Sequence, residues 1–349
     1  MSYTNGLDKP TDYFNTKLYS GDGTSSNAIT GVGFKPDWLW IKNRTDSGIS
    51  HVITDSVTFS DRRKSNSNSA DETNNRVGSY DSDGFTLNSS SSQVNASSKN
   101  YVAWSWRASN TTAVSNTDGS ITSSVSASTT AGFSIVSYTG NGTSGATVGH
   151  GLGVTPSVVW VKNRSNVDPW TCFYSTLGNG KYIELDATSP AQTPGVAGRW
   201  NNTDPNSTVI TFGNDDDVNG NTENYVAYFF AEKKGYSKFG SYTGNGNADG
   251  TFIYTGFKPS FVLVKQTNAS GEDWFICDNK REGYNGENNR LLPNANSSES
   301  TDSPIDILSN GFKARQSGAA VNGSGSNYIY MAFAESPFVS SSGIPTTAR

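Results

Sequence analysis

Gly33-Phe34-Lys35-Pro36-Asp37-Trp38-Leu39-Trp40-Ile41-Lys42-Asn43-Arg44 returns as Gly153-Val154-Thr155-Pro156-Ser157-Val158-Val159-Trp160-Val161-Lys162-Asn163-Arg164 and again as Gly256-Phe257-Lys258-Pro259-Ser260-Phe261-Val262-Leu263-Val264-Lys265. Each stretch reads as a strand opened by a proline, a position where the missing N–H is tolerated. Beyond the proline both faces are apolar: Trp38 and Trp40 lie on one side, Leu39 and Ile41 on the other. A strand of that kind is central in its sheet or covered by another layer.

A second signature closes each copy. It runs Asn100-Tyr101-Val102-Ala103-Trp104-Ser105-Trp106, then Asn224-Tyr225-Val226-Ala227-Tyr228-Phe229-Phe230, then Asn327-Tyr328-Ile329-Tyr330-Met331-Ala332-Phe333. The spacing from Pro36 to Tyr101 is 65 residues, and from Pro156 to Tyr225 and Pro259 to Tyr328 it is 69. Two signatures held in register three times mark an internal repeat. An opening strand ends in Tyr19-Ser20-Gly21-Asp22-Gly23, Tyr138-Thr139-Gly140-Asn141-Gly142 and Tyr242-Thr243-Gly244-Asn245-Gly246, where Asp-Gly and Asn-Gly favour turns. Further strands are expected at His51-Val52-Ile53, Trp170-Thr171-Cys172-Phe173 and Trp274-Phe275-Ile276-Cys277, with hairpin turns at Asp83-Gly84 and Asn310-Gly311.

The expected architecture is all-β: three tandem antiparallel β-sandwich modules of jelly-roll or lectin-like type, each of about six to eight short strands. The modules cover 14–108, 131–234 and 235–335. A Ser/Thr-rich linker, 109–130, separates the first two, and polar arms, 1–13 and 336–349, flank the repeat. Arms of this kind often order only against a partner chain.

The chain has 349 residues, of which only 16% are charged, with a net charge of −5. The densest basic cluster, Arg62-Arg63-Lys64, is too small for a nucleic-acid footprint and reads as a solvated loop. Cys172 and Cys277 have no paired spacing and read as small core hydrophobes. The N-terminal segment resembles no signal peptide, and no apolar run reaches the ~20 residues of a membrane span. An extracellular-looking surface without a secretion address is what a virion protein would have, made in the host cytoplasm and released by lysis; export by another route is the alternative.

The pattern Gly-Phe-x-Pro-Asp-x-x-Trp-x-Lys-Asn-Arg, followed by His51, Asp55 and Ser56 and closed by Tyr101-Val102-Ala103-Trp104-x-Trp106, resembles a repeat of tailed-phage virion proteins, particularly those of marine cyanophages and related podoviruses. The resemblance implies a tail-fibre-like or capsid-associated protein and carries no catalytic residues with it. The later copies depart from the pattern: Trp170 and Trp274 stand where His51 does, and Gln266 replaces Asn43. The expectation is that the other copies do without whatever His51 does, and that His51 bonds locally near Asp55.

Chemistry-bearing residues are sparse. With two histidines, His51 and His150, and no Gly-x-Ser-x-Gly elbow, no hydrolytic triad is expected. Glu184 and Asp186 alternate on one strand face and read as surface carboxylates; a depolymerase would use such a pair. Asp215, Asp217 and Asn219 alternate before Gly220 like the first half of a calcium loop, although position twelve is Val226. The alternative there is an acidic hairpin loop, and no other cofactor is expected. Trp170, Trp200 and Trp274 flank or occupy loops and are candidates for stacking on sugars, against the commoner fate of core packing. Pro36, Trp38, Trp40, Tyr101, Pro156, Trp160, Tyr225, Pro259 and Tyr328 define the repeat itself.

The resulting expectation is a non-enzymatic virion component. It would be a capsid decoration or capsid-fibre protein that meets other virion proteins or copies of itself and adheres to surface carbohydrate. Alternatives are a tail fibre or spike subunit binding a host glycan, a lectin outside any phage, and a polysaccharide-degrading enzyme.

Overall fold

A computed structural model describes residues 7–73, 76–195, 198–281, 285, 288–302 and 304–346. The chain is all-β, built from antiparallel sheets, and its helical segments are single turns. The principal sheet of the first unit has the order Phe14–Ser20, Asn100–Trp106, Trp38–Asn43, Val52–Asp55. The same order recurs in the second unit as Phe133–Thr139, Asn224–Phe230, Val158–Asn163, Thr171–Tyr174, Ile183–Glu184, and in the third as Ser237–Thr243, Asn327–Pro337, Phe257–Gln266, Phe275–Asp278, Arg290–Leu291. The two signature strands are therefore neighbours at the middle of each sheet, which is why both carry apolar residues on both faces. Strand Trp38–Asn43 begins two residues after Pro36, whereas Pro259 sits inside its strand at an irregularity in the register. Either site spares a ladder hydrogen bond.

The two faces of each principal sheet bury against different partners. Leu39, Ile41, Tyr101 and Ala103 pack under a small outer sheet of Asn27–Thr30, Gly84–Leu87 and Val77–Asp81. The outer layers of the second and third units are Ala146–Gly149 with Val209–Phe212, and Phe252–Tyr254, Gly311–Ala314 and Ile305–Leu308. The other faces converge. Trp38, Trp40, Trp104 and Trp106, then Trp160, Tyr228 and Phe230, then Phe261, Leu263, Met331 and Phe333 form one hydrophobic cluster shared by all three units. Trp38 packs on Tyr228 with ring centroids 4.9 Å apart, Trp106 on Phe333 at 5.4 Å, and Phe230 on Phe333 at 6.1 Å. Three sandwich-like units thus share a central core beside their private ones.

Two boundaries differ from expectation. Residues 109–130 are no linker: Val114–Asn116 and Ser123–Ser128 extend the second principal sheet beside Phe133–Thr139. Polar composition suggested a loop, but Ser123 and Ser126 are buried, and their hydroxyls bond Gly149 O and Ser109 Oγ. In the flanking arms, of which 1–6 and 347–349 lie outside the described residues, 7–13 and 336–346 meet the chain's own body and each other. Leu7 N donates to Lys234 O at 3.1 Å, and the Asp8 carboxylate accepts from the backbone N–H and hydroxyl of Ser341.

Candidate functional site

Of the residues singled out for binding, Trp170 and Trp274 lie at the seams between units, whereas Trp200, Asp215, Asp217 and Asn219 bond within the second unit. Trp170, Trp200 and Trp274 are fully buried, so none is a stacking platform. Trp170 Nε1–H donates to Lys64 O at 2.9 Å, from the second unit to the first. Trp274 Nε1–H donates to Glu184 O at 2.8 Å, from the third unit to the second. His51 completes the ring, its Nε2 lying 3.0 Å from Leu292 O of the third unit. His51 Nδ1 accepts from Trp40 Nε1–H at 2.8 Å. An indole only donates and a carbonyl only accepts, so His51 carries its proton on Nε2. Far from being dispensable in the other copies, the role of His51 is repeated there by an indole. Burial holds its pKa well below the ordinary value, which keeps the ring neutral. Trp200 lies within the second unit, packed on Phe173, with Nε1–H donating to Lys181 O at 2.9 Å.

A second ring of contacts closes the same seams in the opposite sense. Glu299 N donates to Arg44 O, Asp71 N to Arg164 O, and Ala191 N to Thr267 O. Each contact joins equivalent positions, so the three interfaces are head-to-tail and close as a threefold rotation does. The Lys-Asn-Arg end of the repeated strand supplies much of this. Arg164 pairs with Asp61 and Asp71, and Arg44 with Glu299. Arg63, expected in a solvated loop, is fully buried between Asp55 and Asp71. Its neighbours Arg62 and Lys64 both pair with Glu72. Lys42, Lys162 and Lys265 are buried too; burial pushes each ammonium down to about 8. Their Nζ atoms donate to backbone carbonyls, among them Asn68 O for Lys162 and Thr188 O for Lys265 across the seams.

The acidic segment is a capped helical turn, not a hairpin loop. Asp215 caps Asp216–Asn219 by accepting from Asp217 N, and Arg199 pairs with both Asp215 and Asp217. Burial pushes the Asp217 carboxyl up to about 6. Asn219 is fully buried and points elsewhere: it accepts from Asn141 N at 2.9 Å and donates to Thr143 O and Gly213 O. The three oxygens therefore do not converge as calcium ligands. Asn95 and Asn322 make the same clamp on Asp22 and Asn245. The preceding carbonyls of Val94, Val218 and Val321 accept from Tyr19, Tyr138 and Tyr242. This Val-Asn pair, six residues ahead of Tyr101, Tyr225 and Tyr328, is a third repeat signature that the sequence reading overlooked.

The remaining reactive groups have structural partners. Among the described residues no cluster of His, Cys, Asp or Glu suits a metal ion. His150 Nε2 lies 3.1 Å from Asn206 O, and its Nδ1 accepts from Leu152 N. Cys172 and Cys277 are free and buried, and burial raises both thiols. Asp186 is partly buried rather than on an open face: it accepts from Trp170 N within the second unit, and burial pushes its carboxyl up to about 6. A cleft of about 70 Å³ lies beside Lys258, Asn279 and Glu335, and a shallow one of about 250 Å³ between Arg107 and Thr130. Both fall below the roughly 300 Å³ at which small-molecule sites begin.

A family model described as a domain of unknown function, DUF7483, matches residues 9–337. The match takes in all three units as one family domain, and the chain belongs to that family. No curated protein and no solved structure matches it.

Proposed function

We propose that this DUF7483 member is a structural component of a phage virion, a capsid decoration or capsid-fibre protein that stabilises the particle. The observation that carries this reading is the closed ring of seams around one aromatic core. Such a body commits Arg44, Arg63 and Arg164, with their carboxylate partners, to its own joints. Both histidines, both cysteines and the buried carboxylates serve the fold, which favours an assembly role over catalysis. The resemblance read in the repeated strands supports a tailed-phage particle as its setting.

Cryo-electron microscopy of virions labelled with an antibody against the second unit tests the proposal. Label on the capsid shell is the expected result. Label on the tail would move the protein to a fibre or spike, and unlabelled intact particles would overturn the virion reading.

A further inference from the structure

We propose that the outer sheet of the third unit carries a carbohydrate-binding platform formed by Phe252 and Tyr254. These residues flank the inward-facing Ile253 on one short strand and are 45% and 59% exposed. Alternation along a strand places both rings on the outer face. The fold does not require them. In the register that aligns Ile253 with Ile29 and Val148, the first unit has Ala28 and Thr30, and the second has Thr147 and Gly149. Only the third unit mounts a pair of aromatic rings there.

The neighbours of the rings indicate the ligand. Gly311 lies directly across from Tyr254 and has no side chain to block access. A Cβ on Gly311 would meet Ile253 O at 2.0 Å, so the strand backbones require glycine there as they do at Gly84, and the Phe252 ring reaches to 3.2 Å from the same point. Lys313 stands opposite Phe252 and pairs with Asp249, while Arg315 pairs with Asp306 at 3.1 Å. The rim thus offers hydrogen-bond donors and acceptors together, with its charges already neutralised. A pyranose ring presents an apolar C–H face edged by hydroxyls that both donate and accept. That chemistry matches two rings inside a neutral polar rim. Two rings are too few for the core of a protein–protein interface, which buries roughly 800 Å² per partner. A neutral rim gives no preference to an acidic polymer. The ligand class is a neutral polysaccharide, and the site does not depend on where the protein sits in a particle.

The test is native electrophoresis of the full chain through gels containing dextran, laminarin, mannan or galactomannan. Retardation by at least one polymer is expected. The Phe252→Ala/Tyr254→Ala variant should lose about tenfold or more in affinity while keeping the parent's thermal unfolding. Phe59→Ala, which removes an exposed ring of the first unit, should bind like the parent. Absence of retardation by all four polymers, or equal retardation of the double variant, would overturn the proposal. So would loss of self-association by the double variant in sedimentation, which would make the patch a contact between copies of the chain.

Discussion

His51 and Trp170 do the same work with different rings, and substitution separates what each contributes. Trp170→Phe keeps the packing but removes the N–H that meets Lys64 O, and should cost about 1–3 kcal/mol because a part-buried carbonyl loses this donor. His51→Ala removes an acceptor for Trp40 and a donor for Leu292 O, as well as volume, and should cost more, about 3–5 kcal/mol. Urea unfolding of the two variants measures the difference. The buried lysines set a pH dependence. Their pKa of about 8 lies below the ordinary 10.5, so between these values the unfolded chain binds more protons and stability rises with pH. The rise amounts to at most ~1.4 kcal/mol per pH unit for each lysine. It is clearest from about pH 8 to 9, before the raised thiols and tyrosines reverse it. Urea midpoints should therefore climb over that interval, and the Lys42→Met/Lys162→Met/Lys265→Met variant should flatten the climb.

At the scale of elements, the repeated strands were legible because a central strand has to be apolar on both faces, and the two signatures say so directly. Which of those faces meets another unit was not legible, since Leu39 and Trp40 are equally hydrophobic. The binding candidates failed for a related reason. A tryptophan beside polar residues reads as exposed, yet the polar residues beside Trp170 and Trp274 belong to the joint itself, and Trp200 is buried against Phe173 within its own unit. The Val-Asn pair was within reach of the sequence and was hidden in the second unit by the acidic residues around it. Those residues drew attention to Asp215 and Asp217, whereas the equivalents of Asp215 are Ser91 and Gly318, whose carbonyls accept from the same turn positions. The turn therefore belongs to the fold. Asn219→Ala should destabilise by about 2–4 kcal/mol through the bonds it strands. Calcium or a chelator should leave the melting temperature of the parent unchanged, because Arg199 occupies the two carboxylates. Differential scanning fluorimetry with and without calcium reads both effects.

At the scale of the whole molecule, tandem repetition alone implies beads on a string, each with its own core and its own stability. The shared cluster of Trp38, Trp106, Tyr228, Phe230, Phe261 and Phe333 implies the opposite. Removing any unit would expose aromatic faces of the other two, and both rings of seam contacts would open. The three units should therefore unfold together. Scanning calorimetry of the full chain is the direct test. One transition, with the van't Hoff enthalpy equal to the calorimetric enthalpy, is the predicted result. Separable transitions, or a calorimetric enthalpy near three times the van't Hoff value, would show three independent domains and contradict the shared core.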